Sequence, residues 1–239
     1  MNELLLIGSV VIIFGGTLLM YRLFGKTGLY CSTVIATIAA NIEVMIVIEA
    51  FGMEMTLGNV LFASTFLVTD ILSEIYGKDA AKKAVKLGVA TSLIFIVLSQ
   101  WWLLYVPSES DLAMPAMREI FSNTPRIMAA GMIVYAIVQV FDVWAYHKWW
   151  DFTEKKFGNR RKLLWLRNNG STLISQLINS VLYTLFAFWG TYEPSLLVSI
   201  MISTYVIYIA TSLIDTPFIY LARRMSKKMA VKCMEFGYR

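Results

Sequence analysis

The sequence predicts an all-α integral membrane protein: a bundle of seven transmembrane helices, N-terminus outside and C-terminus cytoplasmic. Three observations carry that expectation. Hydrophobic residues make up 58% of the 239 and charged residues only 15%, against about 25% charged in soluble domains. The apolar residues collect in runs near the ~20 residues a membrane helix needs. The basic residues fall almost wholly in alternate connections.

The runs lie at about 4–21, 29–49, 57–77, 84–106, 127–149, 169–190 and 195–221. They leave little sequence for a soluble domain, so residues 1–239 read as a single transmembrane domain. Of the 21 Lys and Arg residues, all but Arg118 and Arg126 lie in the connections that share one side. The opposite side carries Glu3, Glu49, Glu54, Glu109, Asp111, Glu119 and Glu193. The positive-inside rule therefore makes the basic side cytoplasmic, and the net charge of +5 reflects topology. Under this reading the basic run at 155–167 is a cytoplasmic loop meeting lipid headgroups, and no nucleic-acid partner is expected.

Taken in order, the first run follows Met1-Asn2-Glu3 with no basic leader and no small-residue cleavage site, so it is expected to be a mature helix. Cys31 and Cys233 both fall at or beyond cytoplasmic ends, where thiols stay reduced, so neither a disulfide nor a cysteine metal site is expected. The second run carries Asn41 and Glu43. The third places Asp70 and Glu74 one turn apart, with Gly77 continuing that face. Each charge near a membrane midplane costs about 2.5–3.5 kcal/mol on insertion scales. Two such groups in one helix point to binding, of a proton, of a ligand rich in hydrogen-bond donors, or of both. The competing reading for Glu74 is an interfacial pair with Lys78.

Between the fourth and fifth runs, Pro107, Pro115 and Pro125 frame Leu112, Met114, Met117, Ile120 and Phe121, predicting a short amphipathic segment on the outer surface. The fifth run holds Gln139 and Asp142 at i,i+3, flanked by Tyr135 and Tyr146, with the sole histidine, His147, at its basic end. In the sixth, Asn169, Thr172, Gln176, Asn179 and Tyr183 recur at intervals of three and four and form one polar stripe. Such a stripe serves either as glue between helices or as paired donors and acceptors for a heterocycle. The seventh adds Ser203, Thr204, Tyr205, Tyr208 and Asp215, the last just before Thr216-Pro217, where a kink is expected. Glu43 and Asp215 are candidates for coupling or gating. Among the tryptophans, Trp144 and Trp189 are expected to line the interior; Trp101, Trp102, Trp149, Trp150 and Trp165 belong to interfacial belts.

Enzyme signatures are missing from the sequence: there is no phosphate-binding loop, no His-Glu-x-x-His and no serine triad that a lone histidine completes. No catalytic residue, metal site or cofactor is expected. Asp70 and Asp142 superficially match the paired aspartates of intramembrane proteases, without the flanking sequences those enzymes carry.

The run Phe66-Leu67-Val68-Thr69-Asp70-Ile71-Leu72-Ser73-Glu74-Ile75-Tyr76-Gly77, followed by a basic loop, resembles the signature of the queuosine precursor transporter family, also called the vitamin uptake transporter family. Gln139-Val140-Phe141-Asp142-Val143 and the block from Arg167 through Asn179 agree in the same order. The resemblance covers residues 29–221, a core of six spans, to which 4–21 adds one more helix. It implies membrane uptake, in a bacterial inner membrane, of 7-cyano-7-deazaguanine, its aminomethyl analogue or queuine, by alternating access. A guanine-like edge presents a ring N–H and an exocyclic amine that one carboxylate accepts together, while amides complement its carbonyl and ring nitrogen. On this reading Asp70 or Asp142 accepts from the base edge, Gln176 and Asn179 orient it, and Glu74 binds a coupling proton or stabilises an inward-facing site. Gln139, Asn169, Thr172 and Tyr183 complete the expected substrate set. The rival readings are a substrate-binding membrane subunit energised by a separate ATP-driven module, and a receptor or assembly protein whose polar interior is glue.

Overall fold

The computed structural model describes residues 1–122, 125–157 and 163–235. Arg160, Arg161, Lys162 and Arg239, and the side chains of Lys228, Lys232 and Cys233, lie outside what is described. Backbone groups in lipid must be bonded within the protein, and helices do this segment by segment. The described residues accordingly form helices α1 (Asn2–Glu43), α2 (Gly58–Tyr76), α3 (Lys78–Trp102), α4 (Met114–Ser122), α5 (Pro125–Phe157), α6 (Leu164–Phe188) and α7 (Pro194–Glu235), with one hairpin, β1 (Val47–Ala50) and β2 (Met53–Thr56). All but α4 are long and apolar enough to cross a membrane.

Helix α1 is not a rod. Its 42 residues would reach ~63 Å if straight, yet Asn2 Nδ2 donates to the Glu49 carbonyl at 2.8 Å. The chain reverses at Gly25, whose φ of 57° and ψ of −135° suit a residue without a Cβ. Beyond the turn the backbone comes so near the first arm that a Cβ on Gly28 would overlap the Met20 carbonyl. The two arms, 2–24 and 26–43, match the first two apolar runs of the sequence. Buried Leu6, Val10, Phe14, Leu18 and Tyr21 form an inward stripe on the first arm, and Leu4, Leu5, Ile7, Val11 and Ile12 face outward. Phe14 meets Phe218 of α7 edge to face at 5.4 Å, which seats the first arm against α7.

The second apolar run does not stay helical to residue 49. Val47–Ala50 and Met53–Thr56 pair antiparallel, with Ala50 opposite Met53, across the two-residue turn Phe51-Gly52. Both turn residues have positive φ, 54° and 71°, the conformation whose twist matches a tight hairpin. The β-branched and alternating character of this stretch outweighs its hydropathy.

Helix α2 is the centre of the bundle. Of its 19 residues, 15 are buried, the signature of a helix enclosed on all sides; it packs against α1, α3, α5 and α7. Gly77 separates it from α3. The amphipathic segment expected after Pro107 is α4, which buries Phe121 against Phe95 and Trp102 at 6.1 and 6.2 Å. Its first amide is held by Asp111, whose Oδ2 accepts from Met114 N at 2.7 Å.

Pro217, where a kink is expected, lies inside α7. Two expectations need correcting. Trp144, on α5, and Trp189, at the end of α6, do not line the interior: they are 48% and 64% exposed. Arg167, read as a loop cation, is fully buried within α6.

Candidate functional site

Helix α6 is the polar hub of the bundle, because its stripe bonds to three neighbours at successive levels. At one end of the stripe Asn168 Nδ2 donates to Asp215 Oδ1 at 2.7 Å. Asn169 Nδ2 donates to Thr216 Oγ1 at 2.8 Å, and its Oδ1 accepts from Ser212 at 3.1 Å. A turn further on, Thr172 donates to Asp70 Oδ2 of α2 at 3.1 Å, and Ser175 donates to Asp142 Oδ1 of α5 at 2.9 Å. Nearer the other end, Asn179 Nδ2 donates to the Tyr208 hydroxyl at 3.0 Å.

The two aspartates therefore reach the same helix on adjacent turns, from different sides. Each keeps a buried oxygen with no partner, Asp70 Oδ1 and Asp142 Oδ2, and Oε1 of Gln176, the residue after Ser175, is likewise unpartnered. Neither aspartate forms an ion pair among the described residues. An uncompensated buried carboxylate costs several kcal/mol, so a donor or a proton supplied to this layer would lower that cost.

Glu74 stands apart from Asp70 in chemistry although it is one turn away. Its Oε2 accepts from Arg167 at 2.8 Å and from the Tyr146 hydroxyl at 3.0 Å. Its Oε1 lies 3.5 Å from Arg223. Arg167 in turn covers the Trp150 ring at 4.6 Å from its centroid, and Trp150 stacks on His147. This cluster joins α2, α5, α6 and α7 at the basic end of the bundle, where Lys26 and Lys83 also meet the rings of Tyr30 and Tyr76.

At the hairpin end lies a cavity of about 600 Å³, counting the space at its mouth. Its walls come from the second arm of α1, the first turns of α2 and α5, the later turns of α6, Ser92 of α3 and Tyr208 of α7. Of the expected substrate set, only Asn179 and Tyr183 line it. Its floor is Thr65, whose Oγ1 accepts from Gln139 Nε2 at 2.6 Å, while Thr69 donates to Gln139 Oε1 at 3.1 Å. Gln139 thus staples α5 to α2 between the cavity and the aspartates, which begin at the next residue of α2 and the next turn of α5. Asp70, Asp142, Thr172 and Gln176 form the layer below that staple, and Asn169, Asp215 and Glu74 lie below them again. Glu43 is half-buried at the end of α1.

Sequence reasoning passed over the cavity residues Asn59, Phe62 and Thr65, and it gave Tyr135 and Tyr208 no binding role. Asn59 and Phe62 sit four and eight residues N-terminal of Ala63 and Asp70 on the same helix, and the spacing from Phe62 to Asp70 was the available signal. Arg167 was visible as the first residue of the block that ends at Asn179, but an arginine beside a basic loop reads as interfacial.

Residues 56–222 match the family described as "Putative vitamin uptake transporter". A Bacillus subtilis (strain 168) protein described as "Probable queuosine precursor transporter" is 40% identical over 208 residues, 87% of this chain and 89% of that one. An Escherichia coli (strain K12) protein described as "Queuosine precursor transporter" is 25% identical over 152 residues, 63% of each chain. No solved structure matches. The match extends through the aspartate layer and the α6 stripe, and the helices are those of a multi-pass membrane transporter: the chain belongs to the queuosine precursor transporter family, the vitamin uptake transporters.

Proposed function

We propose that this protein is a seven-span carrier that brings a 7-deazaguanine-type queuosine precursor across a bacterial inner membrane by alternating access. The observation that carries this reading is the aspartate layer. Asp70 and Asp142 each spend one oxygen on an α6 hydroxyl and keep the other, with Gln176 Oε1, as buried acceptors. A guanine-like edge offers a ring N–H and an exocyclic amine, the donors such acceptors lack. The relatives' names point to the same ligand class.

The charge distribution supports an N-terminus outside and a cytoplasmic C-terminus, with the reversal at Gly25 making two crossings of α1. In that orientation the cavity lies in the outer half. The Glu74–Arg167–Arg223 cluster then acts as the inner closure, and opening it would release the layer to the cytoplasm. Asp215 and Asn168 lie beside that closure and couple α6 to α7 as it moves. Glu43, at the outer end, is placed for gating on the other side.

Cells lacking their own deazaguanine synthesis, expressing this chain, should accumulate labelled 7-cyano-7-deazaguanine and recover it unchanged. Asp70→Asn should insert normally and lose uptake. Undiminished uptake by Asp70→Asn at equal expression would refute the role of the layer.

A further inference from the structure

The cavity at the hairpin end holds polar atoms that the aspartate layer does not explain. Asn59 Nδ2, the Tyr135 hydroxyl and the Tyr183 hydroxyl are buried without a partner, and all three residues line it. Asn59 is fixed from its other side: its Oδ1 accepts from Thr56 at 3.2 Å and from the Tyr208 hydroxyl at 3.3 Å, and Tyr208 is itself bonded by Asn179. This chain of bonds uses the amide oxygen and leaves the amide nitrogen as a donor. Aromatic rings make the walls. Phe62 meets Tyr135 edge to face at 6.0 Å and leans on Tyr208 at 6.1 Å. Among the described residues, no charged side chain lines the cavity. Space for Tyr135 is made by Gly88 of α3, where a Cβ would overlap the phenol.

We propose that this cavity is a reception site, separate from the aspartate layer, for a planar uncharged heteroaromatic ring. Asn59 Nδ2 donates to a carbonyl or ring nitrogen on the ring edge, and the Tyr135 and Tyr183 hydroxyls take further polar atoms of the same ring. Phe62 and Tyr208, in contact with each other, form one aromatic wall for the ring to lie against, an arrangement aromatic rings favour when offset or edge-on. Because Gln139 closes the floor, a ring held here must wait until the bonds to Thr65 and Thr69 break before it meets Asp70 and Asp142. The inference rests on the carrier reading, and deepens it by giving the path two stations.

Titration calorimetry on the purified full chain with 7-cyano-7-deazaguanine, guanine and hypoxanthine tests it. Asn59→Leu should weaken binding by about tenfold or more and Tyr135→Phe by about threefold to tenfold, the scale of one hydrogen bond lost to a ligand. Tyr135→Phe removes only a hydroxyl, so its ligand-free melting should match the parent and keep the comparison meaningful. Parental affinity in both variants, with deazaguanine uptake intact in the parent, would overturn the reception site and leave the carrier standing. Binding of guanine or hypoxanthine but no deazaguanine, lost in Asn59→Leu, would keep the site and sink the substrate assignment. A parent that binds none of the three rings would overturn both.

Discussion

Glu74 shows how one carboxylate can be satisfied while its neighbour a turn away is not. Asp70 has a threonine hydroxyl, whereas Glu74 has two guanidinium groups and a phenol. Removing one partner of a buried ion pair typically costs about 3–5 kcal/mol, because the other charge stays behind in an apolar setting. Glu74→Gln should therefore lower the melting temperature of the detergent-purified protein markedly, and a Glu74→Gln, Arg167→Met double variant should recover part of the loss. A double variant as unstable as the sum of its two single changes would show that Glu74 and Arg167 do not act as a pair. Gly88 offers a second residue-scale test. Gly88→Ala should push Tyr135 off the cavity wall and weaken ring binding while melting changes little, whereas undisturbed binding would mean that the phenol has room to give.

At the scale of elements, the reversal of α1 depends on one backbone conformation. With φ at 57° and ψ at −135°, Gly25 sits where an L side chain is strained by about 1–3 kcal/mol. Gly25→Ala should lower stability by that order in thermal melting, and retention of the parental melting curve would place the hinge elsewhere. The hairpin is held to the first arm through Asn2 and Glu3, since Asn2 donates to Glu49 and Phe51 N donates to Glu3 Oε1 at 3.4 Å. These bonds tie the start of the first arm to the hairpin. Helix α6 carries the opposite burden: its hydroxyls and amides bond to α2, α5 and α7 at separate levels, so a tilt of α6 alone would disturb the aspartate layer and the Glu74–Arg167 pair together.

For the whole molecule, the proposed orientation makes a labelling prediction. With Cys31 and Cys233 replaced by serine, Gly52→Cys and Ser108→Cys should react with a membrane-impermeant maleimide added to intact cells. Asp79→Cys should react only after permeabilisation. The opposite pattern would invert the topology and move the cavity to the cytoplasmic side. Both outcomes leave the bundle itself intact, because helix packing follows from which faces are polar and not from which side of the membrane they enter.

Hydropathy along the chain is enough to locate the long apolar helices, because lipid imposes a length and a composition on each crossing. Asp70 and Asp142 stand out in the same pattern as ionisable groups within apolar runs, and the structure buries both. What the linear pattern could not supply was pairing. Whether Glu74 faced solvent, Asp70 or Arg167 depended on how α2 and α6 pass each other, and Glu74 and Arg167 are 93 residues apart in the chain. The cavity was hidden for a related reason: Asn59, Tyr135 and Tyr208 lie on three helices and look like ordinary packing until those helices meet. Composition dictates which segments are apolar enough to enter the membrane; only their mutual rotation decides which polar atoms satisfy one another and which are left without a partner.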